Sequence, residues 1–463
     1  MSGSAATAAR KSVSQQALQP LLHGLDGEIR FDEETRAAAA DDFGHIVEDT
    51  PIGVLLPGSD EDIARAVHLA RALRGKVAPQ GQSHSVFGRS MARDGLVVDM
   101  STMNSIGTVQ SDRVVVGAGA KWSDVLRATL AQGKTPPVLT DYIELSVGGT
   151  IVAGGVGSTT STHGVVADNV IELDVVTGKG QRFTCSASRR SDLFNAVRAG
   201  LGQVGIITSA TIKLIDAPES ARRFQLSYPD LATMLSDQRL LSRDNRFDVV
   251  QGAIAAPPTG FAFRIDAVKY FTGNEPEEGA LLEGLSDIQS ARQISTLAYF
   301  DFLNRLSALE ALLRGNGQWF FPHPWLTSFV GDSEVESVVS GELDRLNPLE
   351  DLGQFGQIIL SPLTRSAIKS PLMRLPSDSL CYAFNFVRVP TTDDAANAQR
   401  LVDANKAAYG RIRAAGGTLY PVHAFSLSRY EWRRHFGAAF SRLSHAKHKY
   451  DPGDVLTPGY EIF

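Results

Sequence analysis

Two glycine-rich segments constrain this chain more than any other feature, because both fall in one stretch of mixed strand-like and helix-like sequence. The first is Pro79-Gln80-Gly81-Gln82-Ser83-His84-Ser85. A helix signature precedes it. Ser59-Asp60-Glu61-Asp62 has capping-box character, and Ile63, Val67 and Ala70 recur at helical spacing beside Ala66, Leu69 and Leu73 until Gly75 ends the run. The strand-like run Leu96-Val97-Val98-Asp99-Met100 follows it. The second segment is Ser146-Val147-Gly148-Gly149-Thr150, continued by Gly154-Gly155-Val156-Gly157-Ser158. Glycine lets backbone N–H groups come close to a diphosphate and lets a flat ring lie against the backbone. The second segment lacks the GxGxxG order and strand–helix context of a Rossmann site, and no Walker A sequence occurs.

The first segment also carries an imidazole, His84, where it would meet a bound ring. This combination points to a flavin dinucleotide site, with His84 a candidate for covalent attachment. The alternative is a polar surface turn with an incidental histidine, beside a glycine-rich loop that packs two strands closely. Thr140-Asp141-Tyr142 lies just ahead of the second segment. A carboxylate next to a flavin can accept a proton from an amine or alcohol as hydride leaves carbon. A lone Asp in a loop is also a common turn former.

The chain has 463 residues, 43% of them apolar and 21% charged, which suits two globular domains. A net charge of −6 without a long basic run argues against nucleic acid as a partner. Arg433-Arg434 and the cluster from His445 to Lys449 read as solvated helix faces. Cys185 and Cys381 are too few for a disulfide framework and read as small buried apolar residues. No stretch approaches a membrane span, and the Ser- and Ala-rich start, Met1 to Gln19, has no signal-peptide core; the expectation is a cytoplasmic protein with a frayed first segment.

Further elements follow from pattern. Strands are expected at Lys76 to Ala78, Arg113 to Val116 and Ile206 to Ile215, and helices at Trp122 to Gln132, Ser191 to Arg198 and Tyr430 to Ser444. Val170 to Cys185 reads as a hairpin around Thr177-Gly178-Lys179-Gly180. After Asp216 the character shifts to longer connections, including Pro257-Pro258 and Pro322-His323-Pro324. Trp325 and Phe329, at helical spacing, suit either core or a cavity wall. His163 is open between a cofactor contact and a loop closure, while His45, His423 and His435 read as structural histidines.

A family resemblance extends from about Asp42 to Phe463. Its N-terminal motifs are Asp42-Phe43-Gly44, Gly81-Gln82-Ser83-His84-Ser85, Thr140-Asp141-Tyr142, Val147-Gly148-Gly149-Thr150, Leu173-Asp174-Val175-Val176-Thr177-Gly178 and Gly202-Gln203-Val204-Gly205-Ile206-Ile207-Thr208. Further on come His323-Pro324-Trp325-Leu326, Asn385-Phe386, Tyr420-Pro421, Tyr450-Asp451-Pro452, Leu456-Thr457-Pro458-Gly459 and Ile462-Phe463. In order and spacing these resemble the cytokinin dehydrogenases, of the vanillyl-alcohol-oxidase type of flavoprotein with a PCMH-type FAD-binding domain.

The resemblance implies an α+β, two-domain flavoprotein. An N-terminal segment 1–40, partly flexible, would precede an FAD-binding domain at 41–216. A substrate-binding domain would occupy 217–424, and 425–463 would return to the FAD-binding domain. It implies FAD linked covalently through His84. Cofactor contacts would come from Gly81, Gln82, Ser83, Ser85, Arg89, Ser146, Gly148, Gly149, Val152, Val156, Ile206, Tyr420, Thr457 and Tyr460. Asp141 would take a proton from the substrate's amine nitrogen. Gln251, Trp325 and Asn385 would face or support the substrate cavity. Neither cysteine falls in the second glycine segment, so one covalent link is expected.

Departures bear on the substrate. The family usually has Gly at the position of Ser83 and Gln at those of Arg89 and Tyr460. Gln251 stands where an acidic side chain would contact an adenine ring, and an amide cannot be an anionic acceptor. The leading expectation is oxidative cleavage of a secondary amine of the isopentenyladenine type to adenine and an unsaturated aldehyde, with oxygen or a quinone as electron acceptor. The alternatives are a flavin oxidase of the same fold acting on another amine or alcohol, for example in bacterial secondary metabolism, and a non-catalytic flavin- or ligand-binding protein.

Overall fold

The computed structural model describes residues 15–255 and 260–463; the stretch before residue 15 and the Pro257-Pro258 connection lie outside the described residues. Among the described residues three large sheets organise the fold, beside a small two-stranded one in which Ile215–Asp216 pairs with Lys134–Thr135. In the first, the strands run Glu28–Arg30, Gly53–Leu56, Leu96–Asp99, Val77–Gln80, and the last three are parallel. Parallel strands need a crossover, and the helix Asp60–Ala72 supplies the one from Gly53–Leu56 to Val77–Gln80, which lie on either side of Leu96–Asp99. That helix buries Ile63, Ala66, Val67 and Ala70, and each large aliphatic residue so buried contributes about 1.5–3 kcal/mol.

Ser59 caps this helix by accepting from the Asp62 backbone N–H, but Asp62 does not complete the reciprocal half of a capping box. Its carboxylate instead accepts from the backbone of Asp26, Gly27 and Gly58, tying the N-terminal segment to the helix start. The far end corrects the sequence reading as well. The left-handed residue is Arg74 (φ 55°), and Gly75 is the next one on, its N–H reaching the Ala70 carbonyl.

The second sheet is antiparallel, in the order Arg113–Gly117, Gly205–Lys213, Val170–Thr177, Arg182–Ser186. The expected hairpin is present, with Gly180 at φ 72° in its turn. The C-terminal segment joins the first sheet: Val77 N–H donates to Val455 O (2.8 Å) and Thr457 N–H to Val77 O (2.9 Å). Lys447 anchors that return. It is buried rather than solvated, donating to Asp451 Oδ2 (2.7 Å) and the Gln203 carbonyl (3.0 Å), and pairing with Asp454. Asp451 in turn accepts from the Val455 and Leu456 N–H groups. The expected helix from Tyr430 to Ser444 is two helices, Arg429–Phe436 and Ala439–Tyr450, broken at Gly437 (φ 53°).

The third sheet has eight antiparallel strands, in the order Gln293–Ala298, Ser220–Tyr228, Ala262–Phe271, Val249–Ala255, Gln357–Thr364, Leu380–Val387, Leu326–Gly331, Thr418–Leu419. Helices Leu231–Asp244, Val335–Leu343 and Ala395–Ala414 pack on it. The last of these went unread in the sequence, although Ala398, Leu401, Val402, Ala408, Tyr409 and Ile412 mark its buried stripe. Phe329 lies in the strand Leu326–Gly331 and Trp325 is the residue just before it, not in a helix; Trp325, Thr327 and Phe329 all line the cavity.

Candidate active site

The His84 turn is laced from below by Asp42-Phe43-Gly44. The buried Asp42 carboxylate accepts from Ser85 Oγ (2.7 Å), Gly88 N–H (2.8 Å) and Gly44 N–H (3.0 Å). Phe43 N–H donates to Ser83 O (2.7 Å) and Gly44 N–H to Ser85 O (3.1 Å). Ser83 itself sits at φ 50°, in the left-handed region that glycine enters freely; a side chain there costs about 1–2 kcal/mol. The turn therefore holds its shape against a local preference, as strained residues beside binding sites often do.

His84 is held by stacking rather than hydrogen bonds. Its ring lies 4.1 Å from Phe43 and 4.7 Å from Tyr142, centroid to centroid. Burial, with the charges of His323 and Arg314, pushes its pKa down to about 3. The imidazole is therefore neutral near pH 7 and keeps the free lone pair that bond formation to carbon requires.

The second glycine segment opens a helix instead of forming a plain loop. Ser146 is the N-cap of Val147–Ala153, and the N-terminus faces the same cavity as the His84 turn. The two segments meet at Gly81, where an added Cβ would lie 2.1 Å from Ser146 Oγ. Tyr420 Oη accepts from Gly155 N–H (3.1 Å), and Thr457 Oγ1 donates to Gly202 O (3.0 Å), so Tyr420 and the C-terminal segment together close the cradle.

Between this cradle and the eight-stranded sheet lies a cavity of about 590 Å³, in the size range of cofactor and small-ligand sites. It is lined by every site residue that the resemblance implies: Gly81, Gln82, Ser83, His84, Ser85, Arg89, Asp141, Ser146, Gly148, Gly149, Val152, Val156, Ile206, Gln251, Trp325, Asn385, Tyr420, Thr457 and Tyr460. The cradle suits a flavin dinucleotide in charge as well as shape. Arg89 is 5% exposed with no carboxylate in ion-pair range among the described residues. It donates to Gly459 O (2.9 Å) and Phe425 O (2.7 Å) and lies over the Tyr460 ring, while its Nε has no acceptor. A buried cation lacking a counter-charge costs several kcal/mol, and an anionic cofactor would relieve that cost.

Asp141 is not a free turn residue. Its Oδ1 accepts from Arg305 Nη2 (2.8 Å) and its Oδ2 from Gln251 Nε2 (2.6 Å). Arg305 also lies over the Phe302 ring. Tyr142, the neighbour that stacks on His84, donates to Glu310 Oε2 (2.8 Å). Sequence reasoning missed Arg305, Glu310, Trp319 and His323, all cavity-lining. Arg305 stands between two short helices with no motif around it, and its partner is 164 residues away.

The remaining histidines divide. His163 ends the short helix Thr160–His163 away from the cavity lining, and His45 pairs with Asp41. His423 lines the cavity, 3.2 Å from Arg89. Cys185 and Cys381 are buried, unpaired and off the cavity wall, their thiols pushed up to about 12 by burial.

Three fully or nearly buried histidines make stability depend on acid. Burial lowers His323 to about 4, His435 to about 3, and His423 well below 6.5. Unfolded, each takes a proton near pH 6.5, so the stability of burying them neutral is present above 6.5 and lost as pH falls toward 4. Asp42 acts oppositely. Burial raises it to about 6, so its contribution is full below about 4 and is lost as pH rises to 6. Near pH 5 the unfolded state therefore binds more protons at these groups than the fold does, and stability falls as pH falls. Denaturant midpoints should therefore drop between pH 7 and pH 5, and equal midpoints would contradict neutral burial.

Comparison with known proteins agrees with this geometry. Residues 51–186 match the FAD binding domain family, and residues 259–463 match the family described as cytokinin dehydrogenase 1, FAD and cytokinin binding. An uncharacterised oxidoreductase of the fasciation locus of Rhodococcoides fascians is 37% identical over 440 residues, 95% of this chain and 99% of that one. Cytokinin dehydrogenase 10 of Oryza sativa subsp. japonica is 34% identical over 494 residues, 94% of this chain and 88% of the relative. The solved structure of 6-hydroxy-D-nicotine oxidase from Arthrobacter nicotinovorans has the same fold, with a TM-score of 0.75 at 19% identity over 95% of this chain and 98% of that one.

Proposed function

We propose that this protein, which belongs to the cytokinin dehydrogenase family of FAD-dependent oxidoreductases, oxidises the exocyclic C–N bond of an N6-alkylated adenine of the isopentenyladenine type, with FAD tethered to His84. One observation carries the reading: the Asp141 carboxylate is held in the cavity one residue from the tyrosine that stacks on His84. Asp141 takes the proton of the amine N–H. FAD held in the cradle between the His84 turn and the Ser146 segment would supply the acceptor for the hydride of the adjacent alkyl carbon, with oxygen or a quinone as the final electron acceptor. Water then hydrolyses the imine to adenine and an unsaturated aldehyde.

The protein's part is placement and charge. Arg305 and Gln251 aim the Asp141 carboxylate, and proton uptake there weakens its ion pair with Arg305. Trp325 is fixed by donating to Arg388 O (2.9 Å), and Asn385 by accepting from Ser328 N–H (3.1 Å), which supports a rigid substrate wall.

The test is anaerobic mixing of purified protein with isopentenyladenine. The flavin band should bleach, and adenine and the aldehyde should appear. Bleaching only with other amines or alcohols would replace the substrate, a second reading favoured by Gln251, a neutral amide in the cavity where the family's acidic side chain is expected. Bleaching with nothing offered would end the enzymatic proposal.

A further inference from the structure

The cavity wall opposite the cradle carries a cluster that the proposed chemistry does not use. Arg264 and Asp266 lie two apart on the strand Ala262–Phe271, and Arg223 comes from the neighbouring strand Ser220–Tyr228. All three line the cavity. Arg223 Nη2 donates to Asp266 Oδ2 (2.9 Å). Arg264 Nε stands 3.9 Å from Asp266 Oδ1, too far for a hydrogen bond. The Nε atoms of both arginines and Oδ1 of Asp266 are buried without a partner.

The charges do not cancel. Arg305 pairs with Asp141, and Glu310 with Arg314. Two arginines share Asp266, so one positive charge is left over, and it sits on Arg264, which makes no hydrogen bond among the described residues. A guanidinium fork with open donors, beside a second fork already oriented by a carboxylate, matches the geometry of a phosphate or carboxylate.

Register fixes where this lies relative to the chemistry. Asp266 is directly across from Gln251, whose amide donates to Asp141. Arg264 is two residues further on, across from Ala253 on the same face, roughly 7 Å along the strand. We infer that Arg264, with Arg223 and Asp266 behind it, receives an anionic group on the part of the substrate remote from the oxidised C–N bond. On the proposed reading, which this inference rests on, that is an N6-alkylated adenine bearing a phosphate or carboxylate beyond the purine.

Equilibrium titration of the holoprotein, read as a perturbation of its flavin spectrum, tests this without turnover. The probes are adenosine, adenosine monophosphate and 9-carboxymethyladenine. Adenosine monophosphate should bind at least about tenfold more tightly than adenosine, the worth of one charge-assisted contact. Arg264→Gln should erase that gap and Arg264→Lys should keep part of it, with Arg223→Gln as the second variant should Arg264→Gln fail to fold. The carboxymethyl probe separates the sources: a gain with it alone assigns a carboxylate, and a gain with the nucleotide alone assigns a phosphate. Equal binding of adenosine, its monophosphate and 9-carboxymethyladenine, or a gap that survives Arg264→Gln, would overturn the subsite. A preserved gap without bleaching by isopentenyladenine would overturn the proposed reaction and leave the subsite standing. No spectral response to any of the probes would end the subsite, while the proposed reaction stands or falls on bleaching by isopentenyladenine.

Discussion

Asp141→Asn is expected to leave FAD bound and to slow flavin reduction by substrate about 10²- to 10⁴-fold, the usual worth of a positioned general base. The amide keeps the size of the carboxylate, and its oxygen still accepts from Arg305. Gln251 can turn its own amide to meet the new NH₂, so the local frame survives. What is lost is the ability to take the N–H proton. Stopped-flow absorbance under anaerobic conditions measures the step directly. A reduction rate within a few-fold of wild type would remove Asp141 from the chemistry, whatever its place in the cavity.

His84→Ala should abolish covalent attachment altogether. Intact-mass spectrometry of the denatured wild-type protein should show the polypeptide plus FAD, and the variant should show the polypeptide alone. The physical basis is the neutral imidazole: a group pushed down to about 3 carries a free lone pair near neutral pH. The remaining cradle, from Gly81 to Ser146 and from Tyr420 to Thr457, is untouched by the change, so the variant should still hold FAD non-covalently and remain yellow until denatured. Residual covalent flavin in the variant would point to a second attachment residue; Cys185 and Cys381, both off the cavity wall, are poor choices for it. A wild-type mass without FAD would remove the tether from the proposal.

Much of the cradle was legible because its signals are local. A serine three residues before an acidic residue caps a helix whatever its distant neighbours do, and glycines mark close approach wherever they fall. Ser83 was legible even as a departure, since a turn that favours glycine is where a left-handed backbone is expected. Errors came where a neighbour distant in sequence decided the outcome. Lys447 reads as one more basic residue on a polar helix, yet Asp451 and Asp454 draw it inside. Trp325 and Phe329 fit a helical period of four, but Leu326–Gly331 pairs with Leu380–Val387 as a strand that starts just after Trp325.

The sequence alone therefore determined some of the local elements, the glycine-rich turns that carry His84, and the family to which they belong. Only the tertiary structure decided what surrounds Asp141 and which charges in the cavity remain unmatched. The reason is reach. Caps and turns are set by dihedral preferences within a few residues, whereas Gln251 and Arg305 approach Asp141 from 110 and 164 residues away. The register of an antiparallel sheet brings Gln251 opposite Asp266, and that register follows from packing a whole face against the core.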